Sequence, residues 1–285
     1  MFRQAVLSLA AAASLMWAQP AFGQRPALLG HQLHGAGPQH VIVLHDWMGD
    51  SANYDAVRPW LDGERYTYAF VDIRGYGLSR NLSGSYTTQE IAADVIALAD
   101  HLGWRRFHLV GHSMTGQAGF RLLLQDWQSD RRIQSYVAVT PVTPDGYPAS
   151  AEDRAFLAAA IDDDATARMA FAALTGGRLS EAWSSAKTAR NRATSNPSAL
   201  QGYYDMWLGE DFSAPFRDAQ IDAPVLVIGG RNDLPGFQEP HYQATLGAWL
   251  PQARFEYVAN AGHYPMQETP ILFATLIEAY FAAHP

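Results

Sequence analysis

The chain has 285 residues, enough for one α/β domain with a large core or for two small domains. Its 20 Lys and Arg against 28 Asp and Glu give a formal charge of -8 with no basic run, which excludes the clustered positive charge that nucleic-acid phosphates require. With no cysteine there can be no disulfide, no thiolate metal site and no cysteine nucleophile.

At the N-terminus Arg3 precedes an apolar, alanine-rich run from Ala5 to Ala18, followed by Pro20 and the small residues Ala21 and Gly23. That is the layout of a secretory leader cleaved after Gly23, and the run is too short to span a bilayer comfortably. The expectation is an exported protein, periplasmic or secreted, with residues 1–23 removed and no membrane span elsewhere.

Little between Gln24 and His40 reads as regular, and Gly35-Ala36-Gly37-Pro38 marks a turn. The run Val41-Ile42-Val43-Leu44 has the composition of a strand buried on both faces, and it ends in His45-Asp46-Trp47-Met48-Gly49. Ser51 is placed to cap a helix carrying Val57, Trp60 and Leu61. A second strand, Tyr66 to Val71, leads into Asp72-Ile73-Arg74-Gly75-Tyr76-Gly77-Leu78-Ser79. Thr87 and Glu90 form a capping box ahead of a helix whose apolar face is Ile91, Val95, Leu98 and Leu102, ended by Gly103.

A third strand, Phe107 to Val110, stops at Gly111, and past Ser113 the apolar residues Met114, Ala118 and Leu122 recur at a helical interval. The segment FHLVGHSMTG therefore reads strand, turn, helix, with Ser113 on the turn. A serine hydroxyl attacks a carbonyl only when a base takes its proton and its own backbone stands clear. A sharp corner meets the second need, and the first free N–H groups of the following helix face any oxyanion formed there. The alternative is a buried turn with an idle serine. His112 reads as a neighbour that packs or hydrogen-bonds.

Ile133 to Val139 is a fourth strand, closed by Pro141 and Pro144. The strand-helix rhythm then breaks until Ala223, far longer than an ordinary α/β connection. The interval holds helical patches at Ala155 to Ile161 and Arg168 to Leu174, with the aromatic residues Trp183, Tyr203, Tyr204 and Trp207. Pro224 to Ile228 resumes the sheet and ends in Gly229-Gly230-Arg231-Asn232-Asp233. A helix with Tyr242, Leu246, Trp249 and Leu250 on one face precedes Arg254 to Val258, which alternates as an edge strand does. Asn260-Ala261-Gly262-His263-Tyr264-Pro265 follows, and Thr269 and Pro270 open the last helix.

The G-x-S corner, the D-x-R-G-x-G-x-S loop from Asp72 to Ser79, and the histidine loop with Glu268-Thr269-Pro270 after it together resemble the α/β-hydrolase fold superfamily, in its form with a helical cap. The resemblance runs from about Gly35 to the C-terminus. It implies an α/β fold with a mostly parallel central sheet of six or seven strands and helices on both faces. The core would be residues 24–143 and 213–285, with the cap at 144–212. It further implies Ser113 as nucleophile, His263 as base and Asp233 as the acid that orients it, in the family's order. By position, the backbone N–H groups of Trp47 and Met114 would form the oxyanion hole, and His45, Trp183, Tyr204 and Trp207 the substrate pocket. Asp72 and Arg74 read as loop ties. Two positions depart from the family: Asp46 stands where it has glycine, and Thr115 where the elbow ends in glycine. The Asp46 side chain is expected to accept backbone N–H groups within its own turn.

Relatives that open epoxides or displace halide carry aspartate at the elbow, so a serine implies attack on an activated carbonyl. The reading is a serine hydrolase working through an acyl-enzyme on carboxylic esters or lactones of small to medium apolar molecules. C–C bond hydrolysis and perhydrolysis are alternatives within the fold. A catalytically weak ligand-binding protein is the alternative from another class, motivated by Asp46 and Thr115. His31, His34, His40 and His45 lack carboxylates at ligand spacing, so no metal is expected. No organic cofactor is implied, the partner is a small-molecule substrate, and nothing in the sequence specifies an oligomeric state.

Overall fold

Runs of Val, Ile, Leu and aromatic residues alternating with amphipathic segments fold into one seven-stranded sheet flanked by helices. The computed structural model describes residues 26–285; the expected leader, residues 1–23, lies outside them. In chain order the elements are β1 (His31–His34), β2 (Gln39–Leu44), β3 (Tyr66–Val71), α1 (Thr88–His101), β4 (Phe107–His112), α2 (Met114–Trp127) and β5 (Ile133–Val139). A helical insert follows: α3 (Ala151–Ala160), α4 (Asp164–Leu174), α5 (Glu181–Thr194) and α6 (Pro197–Gly209). The chain returns through α7 (Ser213–Asp218) to β6 (Val225–Gly230), α8 (Glu239–Ala244), α9 (Leu246–Trp249), β7 (Arg254–Val258), α10 (Pro265–Glu268) and α11 (Pro270–Ala282).

The strand order is β1-β3-β2-β4-β5-β6-β7, with β1 antiparallel to β3 and every other pairing parallel. β4 and β6 are buried along their whole length, whereas β7 is half-exposed, as its alternating sequence requires. Parallel strands put their carboxyl ends on one edge of the sheet. The chain winds one way from β2 to β3 and the other from β4 onward, which opens a crevice at that edge where ligands bind in such sheets. The loops after β2, β4, β6 and β7 all reach it.

Several local expectations are corrected. β1 is an additional strand: His31-Gln32-Leu33-His34 has no buried face, and pairing with Phe70 and its neighbours on β3 makes it a strand. The helix expected after Ser51 is two 3₁₀ turns, Ser51–Tyr54 and Arg58–Trp60, because Pro59 cannot donate the hydrogen bond a continuous helix needs. Asp50 rather than Ser51 caps the first turn, and Trp60 is 53% exposed. The helix carrying Tyr242 and Leu246 is broken at Thr245 into α8 and α9. Only half the capping box of α1 forms: Thr87 accepts from the Glu90 N–H, while the Glu90 carboxylate accepts from Ser85 and Tyr86.

The D-x-R-G-x-G loop is tied as its residue types suggest. Asp72 accepts the N–H groups of Ser51 (2.7 Å) and Leu78 (2.8 Å), and Gly77, at φ 47°, lies against its carboxylate. Arg74 grips buried Asp94 through Nε and Nη2 at 2.5 and 2.9 Å, the two-pronged geometry that suits a guanidinium.

At the rim, β6 and the loop after β7 approach so closely that a Cβ on Gly230 would collide with the carbonyl oxygens of Ala261 and Gly262. Gly230→Ala is therefore expected to lower stability by ~1–3 kcal/mol in a denaturant melt. Gly209→Ala, where a Cβ meets nothing within 4 Å, serves as the control and should be near neutral.

Candidate active site

The corner between β4 and α2 holds Ser113 at φ 56° and ψ -117°, a backbone conformation that side-chain-bearing residues rarely occupy. Its N–H donates to the Val139 carbonyl at 3.0 Å, and its carbonyl accepts from Gly116 (2.8 Å) and Val142 (3.0 Å). Close neighbours must be small. A Cβ on Gly116 would strike Pro141, and one on Gly111 would strike the Thr115 carbonyl. Thr115 is accommodated because its hydroxyl folds back, accepting from the His112 N–H and donating to the His112 carbonyl, both at 3.0 Å. Met114 is the first residue of α2, so its N–H is one of the helix's free donors.

His263 follows β7 and Asp233 follows β6. The His263 Nδ1 donates to Asp233 Oδ2 at 2.6 Å, and Asp233 Oδ1 accepts the Leu234 N–H at 2.7 Å. With its Nδ1 proton directed at a carboxylate, the ring leaves Nε2 free to accept. Burial pushes the Asp233 carboxyl up, against the pull of His263 and the Leu234 N–H. The main chain of His263 is clamped on both sides: its N–H donates to Leu174 at the end of α4 (2.8 Å), and its carbonyl accepts from His112 Nε2 (2.8 Å) and Thr140 Oγ1 (3.1 Å). Phe237 packs edge-on against the imidazole, ring centroids 4.4 Å apart.

Ser113 and His263 line one cavity of about 210 Å³, which Asp46, Trp47 and Met48 line as well. The Asp46 carboxylate does not accept backbone N–H groups from its own turn as expected. Its partners are the Asn53 amide and the Tyr264 hydroxyl (2.8 Å), side chains that come from outside that turn. Burial pushes the Asp46 carboxyl up, but the Lys187 ammonium first, then the His112 ring, the Tyr264 bond and the His45 ring together outweigh it and hold the group below the usual carboxylate range. Trp47 is anchored by its indole N–H to the Leu200 carbonyl of α6.

Of the expected pocket residues, Trp207 lines the cavity. His45 does not line it and is buried: Nε2 accepts the Ile73 N–H, so Nδ1 carries the proton and donates to the Asp46 carbonyl. Trp183 lines a neighbouring cleft and donates to Gln267, and Tyr204 donates to the Arg154 carbonyl with its ring beside Trp47. The apolar wall is instead Tyr147, Phe156, Leu157, Phe171, Leu174 and Phe237. Nothing local in the sequence separates these from other apolar residues of the insert or, for Phe237, of the segment after β6. Among the described residues no three His, Asp or Glu side chains gather as a metal site, and no helix is long and apolar enough to cross a membrane.

Residues 39–270 match the family model of the alpha/beta hydrolase fold. A pimeloyl-[acyl-carrier protein] methyl ester esterase of Nitrosomonas europaea is 28% identical over 261 residues, which cover 86% of this chain and 96% of that one. A fluoroacetate dehalogenase of a Burkholderia species is 37% identical over 95 residues, 32% of this chain and 31% of the relative. With that dehalogenase and others matched over a similar stretch, the alignment spans only about a third of the relatives' length. Among solved structures, a bromoperoxidase from Bacillus anthracis superposes with a TM-score of 0.76 at 19% identity, over 88% of this chain and 94% of that one, a likeness of fold.

Two buried histidines set a pH dependence of stability. Burial pushes His112 down to about 3 and His108 down to about 4. In the unfolded chain histidines protonate near ~6.5, so as pH falls the unfolded state binds protons that the folded state does not. Stability is thus lost as pH drops below ~6.5, by up to ~1.4 kcal/mol per pH unit for each histidine until its folded value is reached. Denaturant melts between pH 7.5 and 4.5 should show this fall, and in His108→Gln the slope should be shallower by about one proton.

Proposed function

The chain belongs to the α/β-hydrolase fold family and is an enzyme of it, and we propose that it cleaves carboxylic esters or lactones of small to medium apolar molecules through an acyl-enzyme on Ser113. The observation that carries this reading is a serine on a strained corner sharing one cavity with a histidine whose far nitrogen is bonded to a buried carboxylate.

In this mechanism His263 Nε2 takes the Ser113 proton as Oγ attacks the substrate carbonyl carbon, and Asp233 stabilises the imidazolium that forms. The negative charge developing on the carbonyl oxygen is met by the N–H groups of Met114 and Trp47, each worth ~3 kcal/mol in the transition state. The tetrahedral intermediate collapses, the C–O bond to the leaving group breaks, and that alkoxide takes the proton from His263. The same imidazole then takes a proton from water as its oxygen attacks the acyl carbon; the C–Oγ bond breaks on collapse and His263 returns the proton to Ser113.

The cavity supports a substrate without charge. Its wall is mainly aromatic and aliphatic, its volume of about 210 Å³ suits a modest acyl or ring substituent, and among the described residues no lysine or arginine side chain lines it to pair with a substrate carboxylate. The esterase aligned along nearly its whole length adds support for ester chemistry. The leader-like layout of residues 1–23 supports export of the enzyme.

A fluorophosphonate should label the protein at Ser113 alone, as located by peptide mass spectrometry, and Ser113→Ala and His263→Ala should each lower ester turnover by at least ~10³-fold. Asp233→Asn should cost ~10⁴-fold in kcat with the fold intact. A folded protein that neither labels nor hydrolyses any ester or lactone in a panel would overturn the reading. Intact mass of the exported protein should place its first residue at Gln24, and retention of residues 1–23 would overturn export.

A further inference from the structure

Lys187 is the only lysine in the sequence; burial pulls its ammonium down from the usual lysine range, and the nearby Asp46 and Asp50 carboxylates pull it back up. It lies on α5 of the insert, and its ammonium points inward. Nζ donates to Asn53 Oδ1 at 2.7 Å and stands 4.2 Å from the centroid of the Tyr264 ring, with the Phe171 and Trp183 rings at 5.3 and 5.6 Å. Asn53 turns its Nδ2 to Asp46, and the other oxygen of Asp46 accepts the Tyr264 hydroxyl. The contacts close into a ring: Lys187 to Asn53, Asn53 to Asp46, Asp46 to Tyr264, and Tyr264 back beneath the ammonium. One member comes from the insert, two from the segment after β2 that contains Trp47, and one from the residue next to His263.

Two further observations show that the ring is built rather than incidental. Gly49 makes room for it, since a Cβ there would collide with both Asp46 Oδ1 and Asn53 Nδ2. The charges are also sorted. Asp50, the other acid near Lys187, is already held by the Arg190 Nε at 2.8 and 2.9 Å, which leaves the lysine to Asp46.

Asp46 is only 2% exposed and lines the cavity that holds Ser113 and His263. An ionised carboxylate in that wall opposes a second negative charge forming beside it, and poorly solvated surroundings screen the repulsion weakly. We propose that Lys187 is a positioning residue for the Ser113 reaction: through Asn53 it balances and holds the Asp46 carboxylate, so that the cavity can accept an oxyanion. This rests on the serine-hydrolase reading above. A compact ammonium with three donors suits an aromatic cage closed by one amide oxygen better than a planar guanidinium does.

The test is a double-mutant cycle read as kcat and KM on a p-nitrophenyl ester, with the rate of fluorophosphonate labelling of Ser113 alongside. Lys187→Met should lower kcat by ~30-fold or more while KM moves less than ~3-fold, as for loss of an interaction felt mainly in the transition state. Asp46→Asn should cost less than ~10-fold, and the Lys187→Met, Asp46→Asn double variant should match Asp46→Asn, because without the carboxylate there is no charge left to balance. Asn53→Ala breaks the link while keeping both charges; it should repeat the kcat loss and be relieved by Asp46→Asn in the same way. Near-UV circular dichroism reports folding of each variant, and the Asn53 pair serves if Lys187→Met does not fold. A wild-type enzyme that turns over normally while Lys187→Met keeps its kcat, or a double variant no better than Lys187→Met, overturns the proposal alone. Failure of the wild type to label at Ser113 overturns the serine reading and this proposal with it.

Discussion

A residue with a side chain held at φ 56° and ψ -117° costs ~1–3 kcal/mol, and Ser113 persists there because its surroundings over-determine it. Its N–H and C=O are both engaged by the chain at and just beyond the end of β5, through Val139 and Val142. Behind the corner, the Tyr136 hydroxyl donates to the Gly116 carbonyl at 2.6 Å, in a space that exists only because Gly111 and Gly119 have no Cβ. β4, β5 and α2 therefore meet at one point with no slack. The position of the serine hydroxyl is a property of the middle of the sheet rather than of a surface loop, and the remaining groups need only be brought to it.

The histidine is brought by two bodies at once. From the core, His112 and Thr140 hold its carbonyl; from the insert, Leu174 accepts its N–H. The flanking loop is pinned by buried Glu268, which accepts the N–H groups of Gly262 and Tyr264 and is paired with Arg178 from the segment between α4 and α5. A carboxylate out of water is tolerable only when its lone pairs are engaged, as these are. The insert is thus part of what sets the imidazole in place, besides forming a wall of the cavity. A change in how it sits would reach the histidine directly.

How much could be read from the residues follows from how local each signal is. Tyr66–Val71, Ile133–Val139 and Arg254–Val258 are strands with the boundaries their own runs suggest, because turn residues stand on either side. The placement of Ser113, Asp233 and His263, each past the end of a strand, was legible for the same reason. The Ser51 helix failed on a local competitor, Pro59, and β1 has no burial pattern of its own. The cavity wall lay beyond such reasoning. That the insert is rich in aromatic residues is plain, but the wall draws on α3 and α4 more than on α5 and α6, where the aromatic residues are most concentrated. Distant partners engage two of those aromatic residues: Trp183 donates to Gln267, and the Tyr204 hydroxyl to the Arg154 carbonyl. Lys187 and Asn53 are 134 residues apart, and no periodicity links them.

The two departures from the family pattern are absorbed differently. Thr115 is a steric matter, settled within one turn by hydrogen bonds to the His112 backbone, and it adds no charge beside Ser113. Asp46 is an electrostatic matter. Burying a carboxylate costs several kcal/mol even after relaxation, so its place in the cavity wall requires partners. Two neutral donors, the Asn53 amide and the Tyr264 hydroxyl, satisfy its lone pairs without cancelling its charge. Cancellation needs a cation. The cation present is one residue further out, on the insert, its ammonium bonded to the same Asn53. A glycine at position 46 would need none of these groups. The aspartate therefore ties the charge balance of the cavity wall to the seating of the insert, which a glycine would leave to the core alone.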